Sequence, residues 1–157
     1  MKSLLKKMLH IIIKKKIKIS IVESCTGGLF CKLITAIPNA SKAFELGLVT
    51  YSNKSKINIL NVPSKIINKY GSVSEKVCSS MVKNLYKINK SDICLSITGI
   101  AGPKGGSKTK PVGLVYIGIK KGKKIIIKKN LFKNKGRLYI QNSAIYKSIN
   151  LILAMLK

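Results

Sequence analysis

The spacing of apolar residues changes several times along the chain, and each spacing predicts a type of element. Residues 3–15 place apolar side chains at helical intervals, whereas "IKISIV" at 17–22 alternates lysine with apolar residues in the manner of a strand. Thr26 is expected to cap a helix that continues to Ala36, and the turn at Pro38 is expected to end it. The chain therefore begins as helix, strand and helix.

The middle of the chain continues this alternation. "LGLVTY" at 46–51 predicts a second strand, and residues 53–61 and 63–70 predict two short helical pieces. "SVSE" at 72–75 has the spacing of a capping box, in which the first serine caps a helix that runs to about Asn89. Helices are thus expected before and after each of the first two strands in the sequence.

The last third predicts a buried strand, a hairpin and a final helix. "ICLSIT" at 93–98 is almost wholly apolar, as in a strand covered on both faces. Residues 112–119 and 124–132 form two apolar runs separated by "KKGKK", and an amphipathic helix is expected from Arg137 onwards. This order of elements predicts the α/β class, as a three-layer α/β/α sandwich with a mixed, mostly parallel sheet.

Composition limits the number of domains and the kinds of partner. The 157 residues are 46% hydrophobic, which suffices for one core, so residues 1–157 are expected to form a single domain. The net charge of +27 would favour a nucleic-acid partner, but Arg137 is the only arginine among 31 basic residues. Because sequence readers rely on arginine, nucleic-acid binding is expected to be non-specific at most. A lysine-rich nucleic-acid-binding module remains an alternative.

The cysteines and the N-terminal segment argue against two further classes of protein, those that bind a metal and those that span a membrane. Cys25, Cys31, Cys78 and Cys94 contain no CxxC pair and have no histidine cluster beside them, so no metal site is expected. The apolar stretch within 3–15 is interrupted by lysines and too short to span a bilayer. We expect a cytoplasmic protein without membrane contact; a membrane-surface helix is the alternative for this segment.

Three polar loops follow predicted strands. They are "ESCTGG" at 23–28, "YSNKSK" at 51–56 and the glycine-rich "TGIAGPKGGSKTKPVG" at 98–113. Ligands in open α/β sheets bind outside the carboxyl ends of the strands, where these loops are expected to meet. The sequence therefore places the candidate chemistry at one edge of the sheet.

Few side chains can act as a general base at that edge. The only histidine, His10, falls in the first predicted helix. The four acids, Glu23, Glu45, Glu75 and Asp92, are too scattered for a carboxylate metal centre. Elimination leaves a lysine, which can act as a base if burial or neighbouring positive charge lowers its pKa.

The motifs "ESCTGG", "FELGLVTYSNKSK", "GSVSE", "SITGIAGPKGG" and "KPVGLVYI" occur together and in this order. In that respect the chain resembles the family of the C-terminal domain of the competence-damage-inducible protein CinA, the nicotinamide mononucleotide deamidases. The resemblance covers about residues 17–119 and rests on several independent motifs. One departure is the run "PKGGSKTK", which has lysines where family members often have acids.

The resemblance implies an activity and a catalytic set. It implies hydrolysis of nicotinamide mononucleotide, a small-molecule nucleotide, to nicotinic acid mononucleotide and ammonia, with no cofactor or metal and commonly as a homodimer. It gives Ser24 as the nucleophile, Lys56 as the general base and Tyr51 beside them, to relay the proton or orient the lysine. An inactive member that retains the fold is the alternative. Cys25, with no imidazole nearby, is assigned to packing.

Substrate-binding candidates lie in the loops and at the last helix. Backbone N–H groups of the first loop suit an oxyanion or a phosphate, and the glycine-rich loop allows close approach of a nucleotide. The alternatives are close packing for the first-loop glycines, a capped strand end for Thr98 and a surface position for Arg137. The candidates are Thr26, Gly27, Gly28, Thr98, Gly99, Gly102, Gly105, Gly106 and Arg137.

Overall fold

The computed structural model describes residues 1–156, and its elements alternate as the apolar pattern predicts. Six helices and five strands occur in this part of the chain, with a short 3-10 turn before the second strand. In chain order they are α1 (Lys2–Lys14), β1 (Ile19–Glu23), α2 (Leu29–Thr35), the 3-10 turn (Ala40–Lys42), β2 (Phe44–Val49), α3 (Asn53–Asn58), α4 (Ser64–Tyr70), α5 (Glu75–Ile88), β3 (Ile93–Gly99), β4 (Leu114–Lys121), β5 (Lys124–Leu131) and α6 (Arg137–Leu156).

The strands form one mixed sheet in the order β2-β1-β3-β4-β5. β1 pairs in parallel with both β2 and β3, whereas β4 runs antiparallel to β3 and to β5. Four strands therefore share one direction, and β4 alone is reversed. The carboxyl ends of β1, β2 and β3 lie side by side, which confirms that the three polar loops meet at one edge of the sheet.

Helices cover both faces of the sheet, and the alternation of side chains along β1 and β3 serves both cores. Ile19 and Ile21 of β1 pack in the core formed with α1, α2 and α6. Val22 packs on the opposite side, in the core formed with α4 and α5. Since β1 is covered on both faces, all five of its residues are buried. The predicted three-layer α/β/α sandwich is confirmed.

The terminal helices pack in the same layer. α1 buries Leu5, Met8, Leu9 and Ile12 on one side, which contributes to the core that also receives α6. α6 buries a stripe from Ile140 to Leu156 at helical spacing, although Leu138 and Tyr146 on its outer side are exposed. The apolar side of α1 is thus occupied within the fold. Within residues 1–156, no helix has the length and apolar character needed to cross a membrane.

Several predicted boundaries are wrong. The alternating pattern at 17–22 placed Lys18 inside a strand, but β1 begins after it. β2 lies two residues earlier than the predicted 46–51, and α3 ends at Asn58 rather than 61. The capping box at 72–75 does not form. Ser74 caps α5 instead, because its backbone is still extended and the chain becomes helical only at Glu75.

Thr26 does not cap α2, which begins at Leu29. Gly27 and Gly28 adopt φ values of +62° and +92°, in the left-handed region that a right-handed helix cannot contain. The helix therefore starts two residues later than the sequence predicts. The Thr26 hydroxyl is buried and has no hydrogen-bond partner within residues 1–156.

Candidate active site

Ser24 and Lys56 are in direct contact at the carboxyl edge of the sheet. Ser24 follows β1, and its backbone N–H donates to the carbonyl of Ile97 on β3 at 2.9 Å. Lys56 lies on α3, and its Nζ is 2.9 Å from Ser24 Oγ. Lys56 is only 1% exposed and Ser24 6% exposed. The two side chains predicted as nucleophile and base therefore form a buried pair.

The start of α3 directs Lys56 inwards. Ser52 and Ser55 form a reciprocal capping box that fixes the first turn of this helix. Lys56 Nζ then donates to the carbonyl of Thr50 at 2.9 Å and approaches that of Tyr51 at 3.5 Å. A neutral amine has two N–H donors and one lone pair. With the carbonyls accepting the donors, the lone pair is free to accept the Ser24 hydroxyl proton.

Burial shifts the pKa of the candidate base, Lys56, and of the thiol beside Ser24, Cys25. Desolvation lowers the pKa of Lys56 below its ordinary value of 10.5, which increases the neutral fraction that can act as a base. Desolvation raises the pKa of the neighbouring Cys25 thiol to about 12, so this thiol stays protonated at neutral pH. Cys25 also belongs to the apolar core. The arrangement favours Ser24 over Cys25 as the nucleophile.

Tyr51 and Arg137 meet at the mouth of the site. Arg137, the first residue of α6, donates from Nη2 to the Tyr51 hydroxyl at 3.0 Å and from Nη1 to the carbonyl of Gly102 at 3.0 Å. The Tyr51 side chain is 60% exposed. Its hydroxyl is thus paired with Arg137, and it is the Tyr51 carbonyl that approaches Lys56. Arg137 joins α6 to two of the three loops.

A cavity of about 400 Å³ opens above the Ser24–Lys56 pair. Its wall includes the side chains of Tyr51 and Arg137, the segment 71–73, and the beginning of the glycine-rich loop. Among the described residues 1–156, four cationic residues contribute to the lining and no carboxylate does. These cations are Lys56, Lys104, Lys110 and Arg137. The cavity is therefore suited to a small anionic ligand.

The glycine-rich loop lines this cavity only in part. Gly99, Gly102 and Gly105 contribute to the wall, whereas Gly106 lies outside this lining and borders a neighbouring depression of the loop. A Cβ on Gly99 would lie 2.7 Å from the carbonyl oxygen of Leu114, so the close approach of β4 requires glycine there. Thr98 borders the cavity, but its hydroxyl donates to the carbonyl of Ser72 at 3.0 Å, which matches the capped strand end.

Thr26, Gly27 and Gly28 lie outside the cavity lining. Gly27 donates its N–H to the carbonyl of Ser24 at 3.1 Å, and Gly28 donates its N–H to the carboxylate of Glu23 at 3.1 Å. These two donors are therefore engaged within the protein. Ligand binding by Thr26, Gly27, Gly28 and Gly106 remains a prediction.

Glu23 has a role that the sequence analysis missed. Its carboxylate is fully buried and accepts three backbone N–H groups, from Gly28 at 3.1 Å, Phe30 at 3.2 Å and Cys31 at 2.8 Å. These are the unpaired donors at the start of α2, where the helix dipole favours negative charge. Glu23 therefore replaces a helix cap and fixes the turn that carries Ser24. The two consecutive glycines after Thr26 were the signal that no ordinary cap could form.

The remaining polar candidates lie elsewhere. His10 is exposed on α1 and borders a depression with Lys6 and Pro38, as its expected helical position indicated. No cluster of three or more histidine, cysteine, aspartate or glutamate side chains able to hold a metal occurs between residues 1 and 156. The four cysteines are unpaired thiols. The candidate catalytic groups at this edge of the sheet are therefore a serine and a lysine.

Comparison with known proteins agrees with this architecture. The family model for the CinA C-terminal domain matches residues 1–156. A protein of Caldicellulosiruptor bescii named as a competence-damage inducible protein is 48% identical over 112 residues, covering 71% of this chain and 27% of the relative. A CinA-like protein of Petrotoga mobilis is 44% identical over 131 residues, covering 83% of this chain and 32% of the relative. The chain thus spans about a third or less of the length of these relatives.

A solved structure shows the same fold over nearly the whole chain. The competence/damage inducible protein CihA from Agrobacterium tumefaciens superposes with a TM-score of 0.96 at 28% sequence identity. The match covers 99% of this chain and 95% of that chain. Fold, family match and relatives agree with one another. The chain belongs to the CinA C-terminal domain family.

Proposed function

We propose that this chain is an amidohydrolase that converts nicotinamide mononucleotide and water to nicotinic acid mononucleotide and ammonia. The observation that carries the proposal is the 2.9 Å contact between Lys56 Nζ and Ser24 Oγ, buried below a cavity lined by cations. The resemblance of the motifs to the nucleotide deamidases supplies the substrate. A pair of this kind suits acyl transfer from a carboxamide.

The proposed reaction proceeds through a covalent acyl-enzyme. Lys56 accepts the hydroxyl proton as Ser24 Oγ attacks the carboxamide carbon, and it then returns that proton to the departing nitrogen, so that ammonia leaves. Water enters next, and Lys56 removes its proton as the water oxygen attacks the acyl carbon. Lys56 returns this proton to Ser24 Oγ as the acid leaves, so the Ser24 hydroxyl is restored and the proton count closes over the two steps.

Two backbone donors are available for the oxyanion. The N–H groups of Ser24, Gly27 and Gly28 are engaged with protein acceptors. Those of Cys25 and Thr26 have no protein acceptor within the part of the chain that the structure describes. Cys25 directly follows the nucleophile and lines the cavity, whereas Thr26 lies outside the lining, so we assign the Cys25 N–H to the developing oxyanion.

Ammonia release from nicotinamide mononucleotide, without added metal, tests the proposal. We expect release by the purified chain and its loss, by orders of magnitude, in Ser24→Ala. Ser41→Ala is the matched control, because Ser41 is exposed on the 3-10 turn far from the cavity in sequence and outside its lining. Release that persists in Ser24→Ala would overturn the assignment of the nucleophile.

The same preparation separates the alternatives. A folded wild-type chain that binds nicotinamide mononucleotide without releasing ammonia would be an inactive relative. A chain that ignores this nucleotide but binds RNA, with affinity falling steeply as salt rises, would support the nucleic-acid-binding alternative.

A further inference from the structure

One cation in the cavity wall is held in place by the protein and has no catalytic task. Lys110 is half-buried in the glycine-rich loop, and its Nζ donates to the carbonyl of Tyr70 at the end of α4. We propose that Lys110 binds the 5′-phosphate of the substrate and thereby makes the cavity specific for nucleotides over nucleosides. The identity of this ligand rests on the proposed function.

The backbone of Lys110 is fixed as well as its side chain. The Ser107 N–H donates to the Lys110 carbonyl at 2.8 Å, and the Lys110 N–H donates to Ser107 Oγ at 3.1 Å, which closes a turn just before Pro111. Gly71 leaves the space that the ammonium occupies, since a Cβ there would lie 2.7 Å from Lys110 Nζ. An ordered ammonium loses little conformational freedom when it binds a ligand.

The charges around Lys110 favour an anion. An ammonium has three donors, and only one is directed at the Tyr70 carbonyl, so two remain for a ligand. Arg137 lines the same cavity, whereas no carboxylate between residues 1 and 156 does so. A phosphate entering this wall would meet positive charge without a competing acid.

The other cations of the lining are less suited to this task. Lys56 is bound to Ser24 and to the Thr50 carbonyl. Arg137 directs two of its donors at Tyr51 and Gly102. Lys104 is exposed on the loop. Arg137 keeps three of its five donors and can assist at the mouth of the cavity, but it also joins α6 to two loops. Lys110 has a fixed position, free donors and no such second task, and we therefore assign the phosphate to it.

Calorimetric titration with nicotinamide mononucleotide and with nicotinamide riboside, made in the Ser24→Ala background so that neither ligand is consumed, tests the proposal. The two ligands differ only in the phosphate. We expect the mononucleotide to bind at least about tenfold more tightly, and Lys110→Met to remove most of that difference while leaving the riboside unaffected.

Lys108→Met is the matched control, because it removes the same charge from the same loop. Lys108 is exposed and faces the depression outside the catalytic cavity. We expect this variant to keep the preference for the mononucleotide. Equal losses in both variants would show that only net charge matters, and would overturn the assignment of Lys110.

Failure of the proposed function gives a different result. If the Ser24→Ala chain prefers the mononucleotide but the wild-type chain releases no ammonia, the phosphate site stands and the hydrolytic activity falls. If the Ser24→Ala chain binds both ligands equally, or binds neither, the phosphate site falls whatever the turnover. Thermal melting of each variant shows whether the fold is intact.

Discussion

The last residue of β1 and the helix after β2 each place one ionisable side chain inside the protein, in opposite environments. Glu23 is surrounded by backbone N–H groups of α2, which stabilise its carboxylate. Lys56 faces two carbonyls and a hydroxyl, and burial lowers its pKa. The first environment anchors a helix through hydrogen bonds, and the second favours a group that gives up its proton.

The difference separates support from chemistry around Ser24. The Glu23 carboxylate points to the start of α2 and holds the turn on which Ser24 sits. Lys56 reaches Ser24 itself from α3. Replacing Glu23 should therefore lower stability and affect turnover only through the position of Ser24, whereas replacing Lys56 should act on turnover directly.

The largest expected effect is on turnover in Lys56→Met. This change keeps the length of the side chain and removes the base, so kcat should fall roughly a hundredfold to ten-thousandfold. Lys54→Met is the matched control, since Lys54 lies on the same helix and is exposed. The measurement is ammonia release at saturating nicotinamide mononucleotide. Wild-type turnover in Lys56→Met would remove the lysine from the mechanism.

Glu23→Gln should weaken the hydrogen bonds that anchor the start of α2 and so lower the stability of the protein. The amide has one acceptor oxygen where the carboxylate has two, and its NH₂ group would face a backbone N–H, so the free energy of unfolding should fall by about 3 kcal/mol. Glu75→Gln, at the exposed start of α5, is the matched control. Chemical denaturation measures the loss.

Kinetics show whether Glu23 also positions Ser24. We expect kcat to fall in Glu23→Gln while KM changes little, because the substrate contacts in the cavity wall remain. A variant that is as stable as the wild type would contradict the role of Glu23 as the anchor of α2.

The elements around Ser24 and Lys56 also show how much of the fold and the site the sequence could predict. Alternating apolar segments identified the five strands, and the rule that loops after parallel strands meet brought Ser24 and Lys56 to one edge. The lysine emerged as a base by elimination, since the chain has one histidine. These inferences need only local pattern and the order of elements.

The contacts that the sequence did not predict depend on three-dimensional geometry, which the local sequence pattern does not contain. Glu23 caps α2 across a turn whose shape is set by two glycines with positive φ, so its partners lie five to eight residues away in sequence. Arg137 contacts Tyr51 across 86 positions, which requires the final helix to pack on the sheet. Such contacts are fixed by tertiary packing.

Stability as a function of pH gives a smaller test of the buried lysine. The folded pKa of Lys56 is below 10.5, so between the two values the unfolded chain binds more protons and the free energy of unfolding rises with pH. The slope for one group is at most about 1.4 kcal/mol per pH unit. Lys56→Met should lack this slope.

The cysteines change the free energy of unfolding with pH in the opposite direction, so their contribution has to be subtracted. Burial raises the pKa of Cys25 and of Cys78 to about 12, from 9.0 in the unfolded chain, so they reduce stability as the pH passes 9.0. All four cysteines are present in both proteins. The difference in unfolding free energy between wild type and Lys56→Met therefore reports the lysine together with its influence on Cys25, and a difference independent of pH would contradict the lowered pKa of Lys56.

The smallest expected effect is that of Tyr51→Phe. The Tyr51 carbonyl approaches Lys56, whereas its hydroxyl pairs with Arg137, so this change should reduce turnover by less than about tenfold, the value of one exposed hydrogen bond. In an Arg137→Met background, Tyr51→Phe should have almost no further effect, because the partner of the hydroxyl is already gone. A loss as large as that of Lys56→Met would instead mean that the hydroxyl relays the proton. The double variant thus decides whether Tyr51 belongs with Glu23, as a support, or with Lys56, in the chemistry.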